Sequence, residues 1–141
     1  MILSGIILSP LQRISTPGGD VLRGLKNTDS GFSEFGEAYF SIIDFKNIKA
    51  WKRHLRMTMN LIVPQGQVRF VFFDEVSKNF MKIDIGQSAY QRITVPPMVW
   101  FGFQGLSKDQ NLILNIASIP HDPAESERLP LTKIQYDWNV L

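Results

Sequence analysis

The sequence predicts an all-β protein of the sandwich or barrel class, and three observations lead to this prediction. Many short runs of apolar, aromatic and β-branched residues are separated by turns rich in glycine and proline. Residues 50–64, AWKRHLRMTMNLIVP, alternate between polar and apolar side chains, which is the period of a β-strand. No segment repeats its apolar residues at the three-and-four spacing of an amphipathic helix over any length.

The predicted strands are bounded by recognisable turn sequences. Residues 15–20 (STPGGD) and 64–66 (PQG) contain the proline and glycine that tight turns require. Residues 68–74, VRFVFFD, are nearly continuously apolar, which places this strand in the middle of the sheet system. After the strands, residues from Pro120 onward begin a polar loop, PHDPAESER. In chain order, the predicted strands cover residues 5–8, 21–26, 37–43, 50–64, 68–74, 80–85, 92–95, 99–104, 111–119 and 133–138.

The length limits the architecture further. A chain of 141 residues is predicted to form one domain, residues 1–141, large enough to bury a real core. A double-stranded β-helix, the cupin jelly roll, is the natural member of the all-β class at this size, and it places ligands in the mouth of the barrel. The N-terminal sequence MILSGIILSPLQ lacks a basic start and is interrupted by Pro10. We therefore expect a first strand there, with no signal peptide and no membrane span.

Composition excludes several classes of function. The absence of cysteine excludes disulfides, cysteine nucleophiles and thiolate metal sites, and it is compatible with the reducing cytoplasm, where we expect the protein to act. The formal net charge is +2, and the cations are scattered along the chain. This pattern favours a small anionic ligand and argues against nucleic acid as a partner, because no basic stripe with interleaved aromatic residues occurs.

Residues 50–64 contain the most informative polar pattern in the sequence. One predicted face is an apolar row made of Leu55, Met57, Met59, Leu61 and Val63. The other is a polar row made of Lys52, His54, Arg56, Thr58 and Asn60. Two interpretations remain open: an ordinary half-solvated strand, or the inner wall of a cavity whose polar groups converge on an anionic ligand. On the second interpretation His54 is a candidate general base, since imidazole titrates near neutral pH.

The remaining candidates are less specific. His121 follows the long strand 111–119 and is either a turn residue or a side chain at the barrel mouth. Glu37 and Tyr39 share one face of strand 37–43 and would approach the cavity if that strand pairs with the His54 strand. Three further carboxylates are candidate acids or histidine partners, or simply strand-end residues: Glu34, Asp74 and Asp84.

Metal-dependent and hydrolytic chemistry have little support. A cupin metal site usually needs two histidines one residue apart, and here Arg56 stands where the second would follow His54. The sequence contains no GxSxG nucleophile turn, no GxxxxGK[ST] phosphate loop and no GxGxxG fingerprint. We therefore predict no metal and no cofactor.

With these residues in view, the chain resembles the dTDP-4-dehydrorhamnose 3,5-epimerase family, in particular its shorter divergent relatives from bacterial surface-polysaccharide pathways. The resemblance spans roughly residues 37–138 and rests on four blocks in order. Residues 51–54 (WKRH) match the family's RGLH opening, and residues 64–74 match its glycine turn and apolar strand ending in aspartate. Residues 95–107 match the IPxGxxHGFxxLS segment, and residues 123–128 match a late stretch containing proline, glutamate and arginine.

The resemblance implies a homodimeric, metal-independent cupin jelly roll that acts on a 4-keto-6-deoxy sugar nucleotide. A histidine base removes the proton next to the ketone, and a tyrosine acid delivers a proton to the other face. His54 matches the base directly. Other positions depart from the pattern: Phe101 replaces the HGF histidine, and Met59 or Asn60 replaces a lysine.

Two further departures concern the support of the reaction. The tyrosine positions of the late strand appear as Asn115 and His121. The C-terminal segment that carries the histidine's aspartate partner in the longer enzymes has no counterpart after Trp138, so we expect the support of His54 to differ here.

The leading hypothesis is therefore a sugar-nucleotide epimerase or isomerase of lipopolysaccharide or O-antigen synthesis. It would act on a dTDP-linked 4-keto-6-deoxyhexose, with His54 as the general base. Two other hypotheses stay open: a non-catalytic sugar- or nucleotide-binding cupin with a regulatory or scaffolding role, and a structural jelly roll without a cavity. The predicted substrate contacts are Arg56, Asn60, Lys52, Asn115, His121, Tyr39 and Glu37.

Overall fold

The computed structural model describes residue 3 and residues 5–140, and it consists almost entirely of antiparallel β-structure. Two short 3₁₀ turns, Pro123–Glu125 and Leu131–Lys133, are the helical elements of the described residues. None of the described helical segments is long and apolar enough to cross a membrane. The strands are β1 (Ile7–Pro10), β2 (Arg13–Ile14), β3 (Val21–Leu22), β4 (Glu37–Ile43), β5 (Ile48–His54), β6 (Met59–Gln65), β7 (Gln67–Phe73), β8 (Phe80–Gly86), β9 (Gln91–Val95), β10 (Trp100–Gly105), β11 (Asn111–Ala117) and β12 (Ser126–Arg128).

Ten of these strands form two five-stranded sheets. The first sheet has the order β1-β9-β6-β11-β4, and the second has the order β12-β5-β10-β7-β8. Strands β2 and β3 pair separately as a small ribbon. The chain changes sheets repeatedly, so that neighbouring strands of one sheet are mostly distant in sequence. This arrangement confirms the prediction of an all-β jelly roll.

Gly66 shows how the chain changes sheets within one residue. It separates β6 of the first sheet from β7 of the second, and it adopts a φ of +83°. A β-carbon at this position would lie 2.7 Å from the carbonyl oxygen of Gln110. Both the positive φ and the close approach therefore require glycine, as the predicted tight turn at residues 64–66 implies.

Strand β7 is apolar on both faces because both faces are covered. Val68, Phe70 and Phe72 are fully buried in the core between the two sheets. Val71 points the other way, into a second apolar cluster on the outer side of the second sheet. This second cluster also contains Trp51, Trp100, Ile134 and Trp138.

The C-terminal segment covers the second cluster and is fastened there by a buried arginine. Arg69 donates to the carbonyl oxygens of Trp138 and Val140 at 2.9 and 2.5 Å. The same guanidinium makes two hydrogen bonds to the Asp84 carboxylate, at 2.9 and 3.0 Å. The C-terminal segment that packs over Arg69 thus explains why an arginine stands within the apolar run VRFVFFD.

The central stretch, residues 50–64, is not a single strand, and this prediction was wrong. Strand β5 ends at His54 in the second sheet, and β6 begins at Met59 in the first. Residues 55–58 cross between the sheets. The polar and apolar rows predicted before the crossing therefore do not continue on the same faces after it. Leu55 is partly exposed, although it was predicted in the apolar row.

Several strand ends also differ from the predictions. The predicted strand 133–138 is wrong, because residues 134–138 contain no strand and instead pack Ile134 and Trp138 into the second cluster. The predicted strand 21–26 is only two residues long, since residues 23–26 continue as a loop. The first strand covers Ile7–Pro10 instead of residues 5–8, and strand 37–43 has the predicted bounds.

Candidate functional site

A cavity of about 490 Å³ lies between the two sheets. Its inner part is lined by apolar side chains, among them Met59, Leu61, Phe70, Phe101, Phe103 and Ile113. Its polar and charged lining residues are Tyr39, Ser41, Lys49, Lys52, His54, Asn115 and Arg128. A mainly apolar pocket with a few convergent polar groups is typical of a small-molecule site.

His54 is the best-supported reactive group in this cavity. It is the last residue of β5 and is only 5% exposed. Its Nδ1 atom is hydrogen-bonded to the Glu125 carboxylate, which is itself 3% exposed. The imidazole also lies parallel to the Phe101 ring, with 5.9 Å between centroids and 16° between planes. The ring is therefore held on an edge and on a face, as a general base needs to be.

Glu125 binds more than the histidine. Its second carboxylate oxygen accepts hydrogen bonds from the backbone amides of Arg56 (3.1 Å) and Met57 (3.2 Å). These amides belong to the crossing between the sheets, which lacks ladder partners of its own. One carboxylate thus orients the imidazole and also accepts hydrogen bonds from two backbone amides that have no strand partner.

The local sequence explains how Glu125 reaches this position. Asp122 begins the 3₁₀ turn and its side chain accepts a hydrogen bond from the amide of Ala124 at 3.0 Å. The turn then leads into β12, whose Ser126 is the register partner of His54 in β5. Pairing of these two short strand ends brings the carboxylate beneath the imidazole.

The electrostatics keep the imidazole neutral. Burial lowers the pKa of His54, the hydrogen bond and charge of Glu125 oppose this, and the nearby Lys52 and Arg128 lower the pKa further. Burial by itself would raise the pKa of Glu125, but hydrogen bonds from His54 and the two backbone amides outweigh it and lower the pKa. An ionised carboxylate only accepts hydrogen bonds, so the proton lies on Nδ1 and the Nε2 lone pair is available.

Two cations stand beside the histidine. Lys52 of β5 and Arg128 of β12 are cross-strand register partners, and both line the cavity. Burial lowers the pKa of Lys52, and the positive charge of Arg128 lowers it further. Within the described part of the chain, neither cation forms a salt bridge. Such a pair favours an anionic ligand.

The first sheet contributes different polar groups. Asn115 of β11 donates from Nδ2 to the phenol oxygen of Tyr39 on the neighbouring strand β4, at 2.9 Å. Its Oδ1 accepts a hydrogen bond from the backbone amide of Asn60 at 3.2 Å. Tyr39 and Asn115 are register partners, which explains their contact.

Four of the predicted site residues therefore meet in the cavity, and four do not. Lys52, His54, Tyr39 and Asn115 line it. The structure places the other four predicted positions outside the lining of this cavity: Arg56, Asn60, Glu37 and His121.

Arg56 lies in the crossing and Asn60 follows it, so the assumption of one continuous strand misplaced both side chains. The Arg56 side chain is 62% exposed and contacts the Asp122 carboxylate at 3.3 Å. Asn60 is buried on the other side of β6, where Nδ2 donates to the carbonyl oxygen of Gly31 at 3.1 Å. Its Oδ1 accepts from Arg92 and Thr94. Asn60 thus helps to fasten the loop at residues 24–31.

Glu37 and His121 meet each other away from the cavity. The Glu37 carboxylate accepts a hydrogen bond from the backbone amide of His121 at 2.8 Å, and His121 is exposed. Among the other carboxylates considered, Asp84 pairs with Arg69, and Asp74 accepts from Ser77 in a turn. Glu34 is exposed.

Sequence reasoning missed Glu125, Arg128 and Lys49. The first two lie in the late proline, glutamate and arginine stretch that carried the resemblance, so a signal existed there. We expected His54 to lack the carboxylate partner that the longer enzymes have. It does have one, Glu125, which comes from this stretch instead of from a C-terminal segment. Lys49 lies in β5 before the stretch that drew attention.

Comparison with known proteins gives a consistent result. No profile of a known protein family matches the sequence. The chain is 29% identical over 113 residues to the probable low-salt glycan biosynthesis epimerase Agl13 of Haloferax volcanii, covering 73% of this chain and 72% of that protein.

Solved structures match over nearly the whole length. The dTDP sugar isomerase from Desulfovibrio desulfuricans G20 is 36% identical with a TM-score of 0.91, covering 98% of this chain and 95% of that one. The dTDP-4-dehydrorhamnose 3,5-epimerase from Sulfolobus tokodaii shares the fold at 15% identity, with a TM-score of 0.83 and coverage of 99% and 84%. The chain therefore belongs to the same family as this dTDP sugar isomerase, and it shares its fold with the 3,5-epimerase.

Proposed function

We propose that this protein is a sugar-nucleotide epimerase or isomerase that acts on a dTDP-linked 4-keto-6-deoxyhexose, with His54 as the general base. The observation that carries the proposal is the buried His54–Glu125 pair at a cavity that is also lined by Lys52 and Arg128, which form no salt bridge within the described residues. The names of the matched relatives support the reaction class. The cavity volume of about 490 Å³ lies within the range that suits ligands of this size.

The chemistry follows from the acidity of a sugar carbon next to a ketone. Removal of its proton requires a neutral, positioned base and a positive group near the developing enolate oxygen. The Nε2 atom of His54 has the free lone pair, and Glu125 stabilises the imidazolium that forms. Lys52 and Arg128 supply positive charge for the enolate or for the substrate's diphosphate.

We propose that the reaction needs no metal. The described residues contain no cluster of three or more side chains of the types that usually bind metals. Nδ1 of His54 is already occupied by Glu125. Lys52 and Arg128 line the same cavity, so the chain's own side chains can supply the positive charge that the proposed step needs.

The cellular role is proposed on the same basis. The name of the Haloferax relative refers to glycan biosynthesis, which supports a role in forming surface polysaccharide such as lipopolysaccharide or O-antigen. We propose that the reaction takes place in the cytoplasm, since the cysteine-free sequence needs no oxidising compartment.

We also propose that the protein is a homodimer, paired through the outer face of the first sheet. Phe40 and Ile42 of β4 point outward and are 61% and 49% exposed. Their register partners in β11, Leu114 and Leu112, are only partly buried. Apolar residues grouped on one sheet face favour association, and a two-fold pair covers such a face in both copies.

The first prediction tests the base. His54→Asn is expected to lower wash-in of solvent deuterium at the sugar carbon by about 10²- to 10⁴-fold, because general bases contribute on that scale. Binding of dTDP is expected to stay nearly unchanged. The measurement is NMR of dTDP-4-keto-6-deoxyglucose incubated with enzyme in D₂O. His121→Asn is the matched control and should exchange like wild type. If the His54→Asn variant exchanged deuterium as fast as wild type, His54 would not be the base. If the wild-type protein bound dTDP but showed no exchange, the result would favour a non-catalytic cupin.

The second prediction tests the carboxylate. Glu125→Gln removes the charge that raises the pKa of His54, so the acidic limb of the kcat/KM profile should move to lower pH. Loss of a charge-assisted hydrogen bond to the imidazolium costs about 1.5–3 kcal/mol, or roughly 10- to 150-fold in kcat. A pH–rate series measures both. A limb that stays in place would show that Glu125 does not act through His54.

The third prediction tests the cation pair. Arg128→Ala should weaken dTDP-sugar binding by roughly 10- to 150-fold at low salt, because it removes a charge-assisted contact worth about 1.5–3 kcal/mol. The difference from wild type should shrink as ionic strength rises. Arg56→Ala removes the same group outside the cavity and should bind like wild type. Equal affinities for both variants, by calorimetry, would contradict the assignment.

The fourth prediction tests assembly. Phe40→Lys places a charge in the proposed interface and should convert a dimer into a monomer at micromolar concentration. Val76→Lys makes the same kind of change at an apolar residue that is 93% exposed in the turn between β7 and β8, and it should leave the dimer intact. Light scattering gives the masses. A monomeric wild type, or a dimeric Phe40→Lys variant, would contradict the proposed interface.

A further inference from the structure

Lys52 reaches into the cavity two residues before the histidine. Side chains alternate along β5, so Lys52 and His54 share its inward face and lie about 7 Å apart along the strand. Both residues line the cavity. Arg53, between them, points outward, where its guanidinium lies 4.7 Å from the centre of the Trp100 ring. The amine and the imidazole can therefore reach neighbouring atoms of one bound molecule.

The Lys52 amine has no carboxylate of its own. It forms no salt bridge within the described residues, and its cross-strand partner in β12 is a second cation, Arg128. Glu125 attracts the amine, but this carboxylate is already hydrogen-bonded to His54 and to two backbone amides. The ammonium form of Lys52 is therefore poorly compensated by the protein.

The surrounding side chains add to this effect. Phe101 is the register partner of Lys52 in β10, and Met59 of β6 lines the same cavity. The other lysine of the cavity, Lys49, is engaged elsewhere, since its Nζ donates to the carbonyl oxygen of Ile42 at 3.4 Å. Of the two lysines that line the cavity, Lys52 is thus the one whose amine is left for a ligand.

These surroundings favour the neutral amine. Burial lowers the pKa of Lys52, the positive charge of Arg128 lowers it further, and the charge of Glu125 opposes both only in part. Arg128 cannot serve in the same way, because a guanidinium does not lose its proton in proteins. A lysine that is desolvated or placed beside another cation is the kind that forms Schiff bases with carbonyl compounds.

We propose that Lys52 attacks the keto carbon of the sugar and holds the substrate as a protonated imine while His54 removes the neighbouring proton. This inference rests on the proposed function and goes beyond it, because it gives Lys52 a covalent role in place of an electrostatic one. A protonated imine draws electrons more strongly than a ketone, so it makes the adjacent C–H bond more acidic.

The sequence of steps balances without another reactant. The nitrogen lone pair of Lys52 forms a bond to the keto carbon. The carbonyl oxygen takes one proton from the amine and one from the solvent and leaves as water. The C–H bond then breaks toward Nε2 of His54, and its electron pair forms the carbon–carbon double bond of an enamine. A proton returns to carbon, and water hydrolyses the imine, which releases the ketone, the amine and the borrowed proton.

Reductive trapping tests the imine directly. The wild-type protein is incubated with dTDP-4-keto-6-deoxyglucose and sodium cyanoborohydride, which adds hydride to a protonated imine and fixes the sugar on the lysine. Mass spectrometry should show the mass of one substrate, less one oxygen atom, on the peptide that contains Lys52. Lys52→Arg keeps the charge and should not be trapped. Lys82→Arg makes the same change at a lysine paired with Asp84 outside the cavity and should be trapped like wild type.

Replacement of the amine tests whether the nitrogen itself is needed. Lys52→Arg should lower deuterium wash-in at saturating substrate by at least about 10²-fold, a loss on the scale of a missing catalytic group. The sequence contains no cysteine, so the thiol introduced by Lys52→Cys is the single site for alkylation. Alkylation with 2-bromoethylamine restores a terminal amine and should recover most of the lost wash-in, whereas alkylation with iodoacetamide should not. Thermal melting verifies that each variant is folded.

Three results would overturn the imine. A wild-type protein that washes in deuterium but yields no adduct would show that Lys52 acts by its charge alone, and His54 would remain the base. Wash-in by Lys52→Arg at the wild-type rate would show the same. An adduct on Lys49 instead of Lys52 would assign the nucleophile to the other lysine of the cavity.

A further variant separates this inference from the proposed function. His54→Asn keeps the amine and should still be trapped, although its wash-in is lost. A wild-type protein that binds dTDP but shows neither wash-in nor adduct would refute the proposed function itself, and the imine with it.

Discussion

The Glu125 carboxylate joins three parts of the chain that are otherwise weakly connected. It accepts from the His54 imidazole and from the amides of Arg56 and Met57, while its backbone continues into β12. The crossing at residues 55–58 has left one sheet and has not yet joined the other, so its amides need a partner other than a strand. A buried carboxylate is costly by itself, and these donors offset that cost. The site and the sheet crossing therefore depend on the same side chain.

The cavity is chemically asymmetric because each wall belongs to a different sheet. The second sheet contributes the histidine and the cations, and the first contributes the phenol and the amide of Asn115. The floor between them is apolar, and such surroundings strengthen the electrostatic interactions of the few polar groups. The imidazole of His54 and the phenol of Tyr39 thus lie on opposite walls of the cavity.

The outer faces of the two sheets are treated differently. The second sheet is covered by the chain's own C-terminal segment, which Arg69 holds by the carbonyl oxygen of Trp138 and which packs over Trp51. At the edge of the first sheet, Phe40 and Ile42 remain exposed in β4. The alternation of β4 was predicted, but its polar members Tyr39 and Ser41 face the cavity. Because side chains alternate across a strand, the apolar members Phe40 and Ile42 then face outward.

The sequence by itself determined the all-β class, most strand positions, the tight turn at Gly66 and the choice of His54 as a cavity residue. These depend on local patterns: alternation, turn chemistry and a rare residue type in a fixed position. Four of the eight predicted site residues line the cavity, and Lys52 and His54 do so because they precede the crossing. Only the tertiary structure decided that Arg56 and Asn60 leave the cavity and that Glu125 and Arg128 join it. The physical reason is that sheet changes and strand pairing between residues some 70 positions apart are set by packing of the whole chain, which no local period records.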